Sequence, residues 1–408
     1  MRPMTERFTR PDWVRRVNAM ADATGSAAAV VPLDASELID HARRDVDAGE
    51  FYDIGDGDWE GRLRTLVDAI NTADLHVVGR LMTREELLRG LRTRLHLGAE
   101  RQRDPGVADE QITAPIVVTG PARSGTTILF ELLALDEGLR SPIAMDVLHP
   151  AEPQLDDQQR RAATESEQEF WADVQPEFAT MHELRYDLPV ECITITSPSF
   201  AGSHWSMSLD DPGQWMPDPT ADFAFHRAVL QSVQHGKPPR QWLLKTPAYL
   251  FLFDELLKTY PDAQIVFTHR DPARTMPSTA STTAMIRWLR SDHLDLDAMS
   301  ELVGMLFTAG LNTVAERSTA GTLPEASGHV RFTDLMSDPT TAIETVYKAI
   351  GREFTATHRD AVLRYLDEKP RGKHGSHDYT AQEWGYDATA LRSDLAPYIS
   401  TFGVADED

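Results

Sequence analysis

A proline-led apolar run gives way at residue 120 to a glycine-bounded loop and then to a helical apolar stripe: Pro115-Ile-Val-Val-Thr-Gly-Pro-Ala-Arg-Ser-Gly-Thr-Thr-Ile-Leu129. The β-branched residues predict a strand, the Gly/Pro/Ser residues a tight turn, and Ile128, Leu129, Leu132 and Leu133 an amphipathic helix. Strand, loop and helix in this order direct backbone N–H groups and the positive end of a helix dipole at one point, an arrangement suited to a phosphate. The same turn with no ligand is the plainer alternative. The spacing Gly120-xxxx-Gly125 matches the first half of the Walker A pattern, but Thr126 stands where that pattern requires lysine. A nucleoside triphosphate would lose its main β/γ-phosphate contact, and Arg123 is the only basic residue in the loop.

The grammar of the following chain is also α/β. Trp242-Leu-Leu244 predicts a strand, Leu250 to Thr259 a helix, Gln264 to Thr268 a strand, His329 to Thr333 another, and Asp338-Pro339 starts a helix running to Ile350-Gly351. Strands alternating with helices argue for a parallel sheet with crossovers. Residues 1–110 show one-sided apolar stripes (Leu38, Ile39, Ala42; Leu63, Leu66, Val67, Ile70; Leu87, Leu88, Leu91, Leu95) and predict a helical region packed on the core or serving as an oligomer contact. The expected division is therefore 1–110, helical, and 111–408, an α/β domain with an insertion around 150–235. Within that insertion Trp205, Met207, Trp215, Met216, Phe223 and Phe225 are interleaved with turn residues, which predicts a lid or acceptor pocket, or else a satellite core.

Composition narrows the partners. A formal charge of −24 argues against nonspecific nucleic-acid binding, so an anionic ligand needs a local basic pocket. Cys192 stands alone, which excludes an internal disulfide and reads as a buried thiol, and no His or carboxylate spacing predicts a metal. No stretch approaches the roughly 18 apolar residues of a membrane helix. The N-terminus has no apolar signal core, so a cytoplasmic, non-spanning protein is expected, with a homo-oligomer left open.

Two further segments can hold anions. Arg270 and Ser278 lie eight residues apart across a strand-to-helix connection, at the carboxyl end of a predicted parallel strand, where α/β sheets place ligands. Pro370-Arg-Gly-Lys-His-Gly-Ser-His377 is a glycine-spaced basic loop. Joined with the Arg-Ser-Gly-Thr-Thr loop, Lys245-Thr-Pro247 and Phe332-Thr-Asp334, these segments resemble those of bacterial, actinobacterial-type sulfotransferases that use 3′-phosphoadenosine 5′-phosphosulfate (PAPS), over roughly residues 115 to 385. The resemblance implies a P-loop-like three-layer α/β fold and a small-molecule hydroxyl acceptor. It implies that Gly120, Arg123, Ser124, Gly125, Thr126 and Thr127 hold the 5′-phosphosulfate and that Arg270 and Ser278 hold the 3′-phosphate. Arg371, Gly372 and Lys373 would close the site, with Phe332 approaching the adenine.

The chain also departs from that pattern. Animal-type cytosolic members carry a Lys-Thr-His motif whose histidine is the base; here Lys245-Thr-Pro247 keeps the lysine alone. Met181-His-Glu-Leu-Arg-Tyr-Asp-Leu-Pro-Val-Glu191 resembles the bacterial His-containing segment ending in Pro-x-Glu. His182, with an ordinary imidazole pKa near 6.5, is the expected base and Glu191 its orienter, with His204 and Asp187 in reserve. Arg123 and Lys245 are expected to stabilise charge on the leaving group. The acceptor is expected to be apolar or aromatic, with no metal needed. The alternative is an ATP-dependent small-molecule kinase or a non-catalytic nucleotide-binding protein.

Overall fold

The computed structural model describes residues 3–46, 49–181, 183–209, 215–368 and 380–407. Five strands, β1 (Ile116–Thr119), β2 (Leu139–Arg140), β3 (Gln241–Lys245), β4 (Gln264–His269) and β5 (Ser327–Arg331), form one sheet in the order β2-β3-β1-β4-β5. Every pairing is parallel. β1 lies at the centre with all four residues buried, as its unbroken apolar run requires.

The strands alternate their side chains between two apolar layers. Ile116, Val118, Leu243 and Val266 pack against Leu129 and Leu133 of the helix Thr126–Leu133 and against Ile343 and Val346 of the helix Pro339–Ala349. Val117, Leu244 and Ile265 face the other way, onto Phe225 and Val229 of the helix Pro219–Gln234 and Leu311 of the helix Leu296–Ala320. Helices on both faces of a parallel sheet make the three-layer, P-loop-like α/β architecture.

Helices from Met4 to Asp109 precede β1. Leu38, Leu66 and Leu91 form a second core with Phe200, Trp205 and Trp215 of the insertion. Val14, Val78 and Met82 form a third with Met285 and Trp288 of the helix Pro272–Trp288. The N-terminal stripes therefore pack against the 150–235 insertion and against the helix that follows β4.

Local boundaries differ from the expectation in places. β5 ends at Arg331 because it pairs from Ser327↔Ile265 to Arg331↔His269, so Phe332 opens a helix, Phe332–Ser337, rather than ending a strand. The segment after β3 first makes a 3₁₀ turn, Pro247–Leu250, with Thr246 capping it and Pro247 at its first position; the α-helix starts only at Phe253. β2 is two residues long and too short to leave a pattern. One helix among the described residues, Leu296–Ala320, is long and apolar enough to cross a membrane, with 39% of its apolar window buried inside the protein. It passes by length and composition only and is no unbroken apolar run, since Ser300, Glu301, Thr308 and Asn312 interrupt it.

Candidate active site

The register Val118↔Lys245 and Thr119↔Phe267 aligns the carboxyl ends of β3, β1 and β4. Gly120, Thr246 and Arg270 consequently leave the sheet side by side, with the Thr119 hydroxyl donating to the Thr246 carbonyl at 3.0 Å. The loop after β1 keeps its shape through glycine. Gly120 has φ +147°, and a Cβ there would sit 2.2 Å from Thr268 Oγ1 and 2.6 Å from the Thr268 carbonyl oxygen. Gly125, at φ +89°, ends the loop and offers no side-chain cap, which leaves the first-turn N–H groups of the helix without an intrahelical partner. Arg123 adopts φ +68°, an uncommon state for a residue with a Cβ and one found at ligand-binding loops. Ser124 turns inward, its hydroxyl donating to the Pro121 carbonyl at 2.6 Å and meeting Thr268 Oγ1. Thr126 and Thr127, by contrast, line the cavity.

Lys245 closes β3 with its side chain almost wholly buried. Its ammonium donates to Thr127 Oγ1 at 3.2 Å and forms an ion pair with Glu191. A buried cation needs such a counter-charge. Glu191 immediately precedes the short helix Cys192–Thr196 and keeps 23% of its side chain exposed. Cys192 behind it is buried, and burial pushes its thiol up to about 12.

Arg270 leaves β4 over the loop. It donates through Nη1 to the Arg123 carbonyl at 2.9 Å and stacks on the Phe332 ring at 3.7 Å. Its Nε and Nη2 fork onto the Glu407 carboxylate at 2.8–3.0 Å. Ser278 follows two turns into the next helix, buried, with its Oγ lacking a hydrogen-bond partner.

These groups border one cavity of about 1520 Å³ with a mostly apolar lining. Arg123, Thr127, Glu191, Lys245, Arg270 and Phe332 lie on it, as do Met207, Trp215, Leu302, Leu306 and Phe307. The insertion therefore divides: Met207, Trp215 and Met216 line the chamber, while Phe223 and Phe225 fill the core beneath. Trp205 is also a core residue, fixed by its indole N–H to the Ser197 carbonyl at 2.9 Å. Charged residues reach the chamber from its helical side. Burial alone would push the Glu86 carboxyl up, but Arg290 at 2.5 Å and His204 at 3.3 Å hold it down at about 2. Arg89 pairs with Glu167 at 3.2 Å.

His182, Arg371, Gly372 and Lys373 lie outside the described residues. His204 faces the chamber with Glu86 as its partner, and Asp187 is engaged by Arg185 at 2.7 Å on the surface. Sequence reasoning missed Glu407 altogether, because a lone carboxylate near the end of the chain carries no motif. The Glu86–Arg290 pair was equally hidden, since its members stand 204 residues apart.

Residues 115–356 match the model of the Sulfotransferase family. The omega-hydroxy-beta-dihydromenaquinone-9 sulfotransferase Stf3 of Mycobacterium tuberculosis, like that of Mycobacterium bovis, is 22% identical over 283 residues, 66% of this chain and 71% of its own. Sulfotransferase STF9 from Mycobacterium avium superposes with a TM-score of 0.78 at 24% identity, over 91% of this chain and 97% of its own. Sulfotransferase STF1 from Mycobacterium tuberculosis does so at 0.70 and 23%, over 90% and 99%. The structural likeness extends the shared fold well beyond the matched family segment, into the N-terminal helices.

Proposed function

Because the chain belongs to the sulfotransferase family, we propose that it transfers a sulfuryl group from PAPS to the hydroxyl of a large apolar acceptor, leaving 3′,5′-adenosine bisphosphate. The observation that carries this reading is the opening of Arg123, Lys245 and Arg270, from three adjacent strand ends, into one predominantly apolar chamber. The loop fits an anion: a Cβ at Gly120 would collide with Thr268, and the helix after Gly125 is uncapped. A 3′-phosphate fits the Arg270 fork, with the partnerless Ser278 Oγ nearby in the chain as a second donor. Phe332 flanks the adenosine from beneath Arg270.

PAPS supplies an activated sulfuryl group: the acceptor oxygen forms a bond to sulfur as the bond from sulfur to the 5′-phosphate oxygen breaks. Lys245 and Arg123, with the Thr126 and Thr127 hydroxyls, hold the negative charge that grows on that oxygen. Thr127 already sits 3.2 Å from the Lys245 ammonium, so the donors are organised beforehand, which is where such groups act best. Ser124 shapes the loop from inside instead of touching the donor. His182 takes the acceptor proton, since a neutral imidazole is present at pH 7. Glu191 neutralises the buried Lys245 ammonium and orients the His182 imidazole. Arg371, Gly372 and Lys373 cover the nucleotide.

The name of the mycobacterial Stf3 relatives points to a large apolar alcohol as acceptor. The cavity of about 1520 Å³ has to take the donor nucleotide as well as the acceptor, and Met, Trp, Leu and Phe on its wall suit an isoprenoid, sterol or long-chain alcohol over a sugar. Labelled PAPS offered with such alcohols and with hexoses is expected to mark the apolar set. Calorimetric titration with 3′,5′-adenosine bisphosphate and with ATP tests the donor: tighter binding of ATP would replace this reading with a kinase.

A further inference from the structure

Building on the assignment of Arg270 to the 3′-phosphate, we infer that the segment 405–407 is an intramolecular latch. Its Glu407 carboxylate holds the 3′-phosphate subsite and gives it up when the donor nucleotide binds.

The geometry at Arg270 is that of ligand capture. Arg270 Nε lies 2.9 and 3.0 Å from the two carboxylate oxygens of Glu407, and Nη2 lies 2.8 Å from one of them. This is the forked contact by which a guanidinium grips a carboxylate or a phosphate alike. The other half of the subsite is shut as well, since Ser278 Oγ is sealed from solvent with no hydrogen-bond partner. Ser278 cannot meet a phosphate until something moves, and at Arg270 a phosphate has to displace Glu407 from Nε and Nη2.

The main chain delivers Glu407 to that point. Its N–H donates to Asp271 Oδ2 at 2.9 Å, and its carbonyl accepts from Arg274 Nε at 3.0 Å and Arg392 Nη2 at 3.3 Å. Asp271 is the residue next to Arg270 and is itself paired with Arg392, so the latch and the proposed phosphate site share one support. Opening is nevertheless cheap in apolar terms. The helix Ala396–Phe402 ends at Gly403 in a left-handed turn, Val404 is buried, and Ala405 and Asp406 are exposed. Among the described residues beyond Val404 the contacts are polar ones that water can replace, Asp406 with Arg392 at 3.5 Å included, so Gly403 and Val404 are placed to act as the hinge. A phosphate dianion offers the same fork more charge than a carboxylate does. A nucleotide with only a 3′-hydroxyl has nothing to exchange for Glu407. The latch therefore responds to the group that distinguishes PAPS from other adenine nucleotides, and tail movement reports its arrival.

The test is calorimetric titration of 3′,5′-adenosine bisphosphate and 5′-AMP into wild type, Glu407→Gln, Arg270→Ala and the double variant. Removing a charged competitor is expected to tighten the bisphosphate about tenfold in Glu407→Gln and to leave 5′-AMP unchanged. In the Arg270→Ala background the same substitution is expected to do nothing. Unchanged or weakened bisphosphate binding in Glu407→Gln, with Arg270→Ala still costing affinity, overturns the latch and leaves the nucleotide reading intact. Full affinity in Arg270→Ala overturns the 3′-phosphate assignment itself. Hydrogen exchange on the unaltered protein gives an independent readout. Saturating bisphosphate is expected to speed exchange at 405–407, and slower exchange there rejects release.

Discussion

The chamber has two charged walls, and they are built differently. At the strand ends, Lys245 and Arg270 meet carboxylates carried by irregular segments: Glu191 precedes a five-residue helix, and Glu407 lies on the coil after the helix Ala396–Phe402. Both carboxylates keep about a fifth of their side chains exposed. On the helical wall, Glu86 lies inside the helix Val77–Arg103 and Arg290 follows the helix Pro272–Trp288, fully buried. A pair whose cation is wholly buried and whose carboxylate sits inside a long helix cannot part without leaving a charge in the core. A pair whose carboxylate lies on an irregular, partly exposed segment can exchange that carboxylate for a ligand. On the proposed reading the strand-end cations act on the donor, while the buried helical-wall pair holds the chamber's shape.

The largest effect that could break this contrast is on the helical wall. Arg290→Met leaves the buried Glu86 carboxylate without its main counter-charge and is expected to cost about 3–5 kcal/mol of stability. The folded fraction should still bind 3′,5′-adenosine bisphosphate with wild-type affinity. Denaturant unfolding measures the first and calorimetry the second; a stable variant with impaired nucleotide binding would reverse the roles of the two walls. Lys245→Ala should show the opposite pattern. Losing one preorganised donor is expected to lower turnover by about 10²–10³, or roughly 3–4 kcal/mol in the barrier. Stability should change less, because Glu191 keeps access to water.

The same contrast explains what was legible in the sequence. The strand-end wall is written in contiguous segments: Gly120 to Thr127, Lys245-Thr-Pro247 and His269-Arg270 each join a strand to the backbone geometry that follows it. The strands and loops of those segments are legible because local periodicity fixes strands and glycine fixes loops. The helical wall and the latch are made of long-range pairs between ordinary charged residues. Glu86 and Arg290 sit in unremarked polar positions of amphipathic segments, and no spacing rule links them. Phe332 was placed on a strand for a related reason, since the register with β4, not local propensity, ends β5 at Arg331. The aromatic insertion read as a pocket only in part, because a Trp or Phe in sequence does not say whether it faces a cavity or a core.

Behind the helical wall, His149 offers a pH test of intermediate size. Burial alone lowers its pKa, but Glu152 at 3.1 Å and Glu167 at 3.5 Å more than offset this and raise it to about 9. A histidine raised above its unfolded value of about 6.5 contributes stability that is fully present below that pH and is lost as pH rises through about 9. His149→Gln should therefore remove on the order of 2 kcal/mol at pH 6 and nearly nothing at pH 10. Denaturation midpoints measured across this range give the slope directly. A variant as pH-dependent as wild type between 6.5 and 9 would show that the cluster does not couple to folding.

The smallest expected effect separates the chamber from the nucleotide site. Leu302 lies on the helix Leu296–Ala320, half-buried and facing the cavity, one turn from Phe307 and Leu306 on the same wall. Leu302→Trp adds apolar volume there without adding charge and without touching Arg123, Lys245 or Arg270. If the chamber holds the acceptor's apolar body, a long-chain alcohol loses contact area and its KM should rise about tenfold, or about 1.4 kcal/mol. A short alcohol that leaves the chamber part-filled should be indifferent or gain from the added surface. Affinity for 3′,5′-adenosine bisphosphate should not change for either. A uniform rise in KM for long and short acceptors would mean that the acceptor chain runs elsewhere. Weakened nucleotide binding would mean that the two walls are coupled through this helix, whose Phe307 meets Phe251, just beyond β3, edge-to-face.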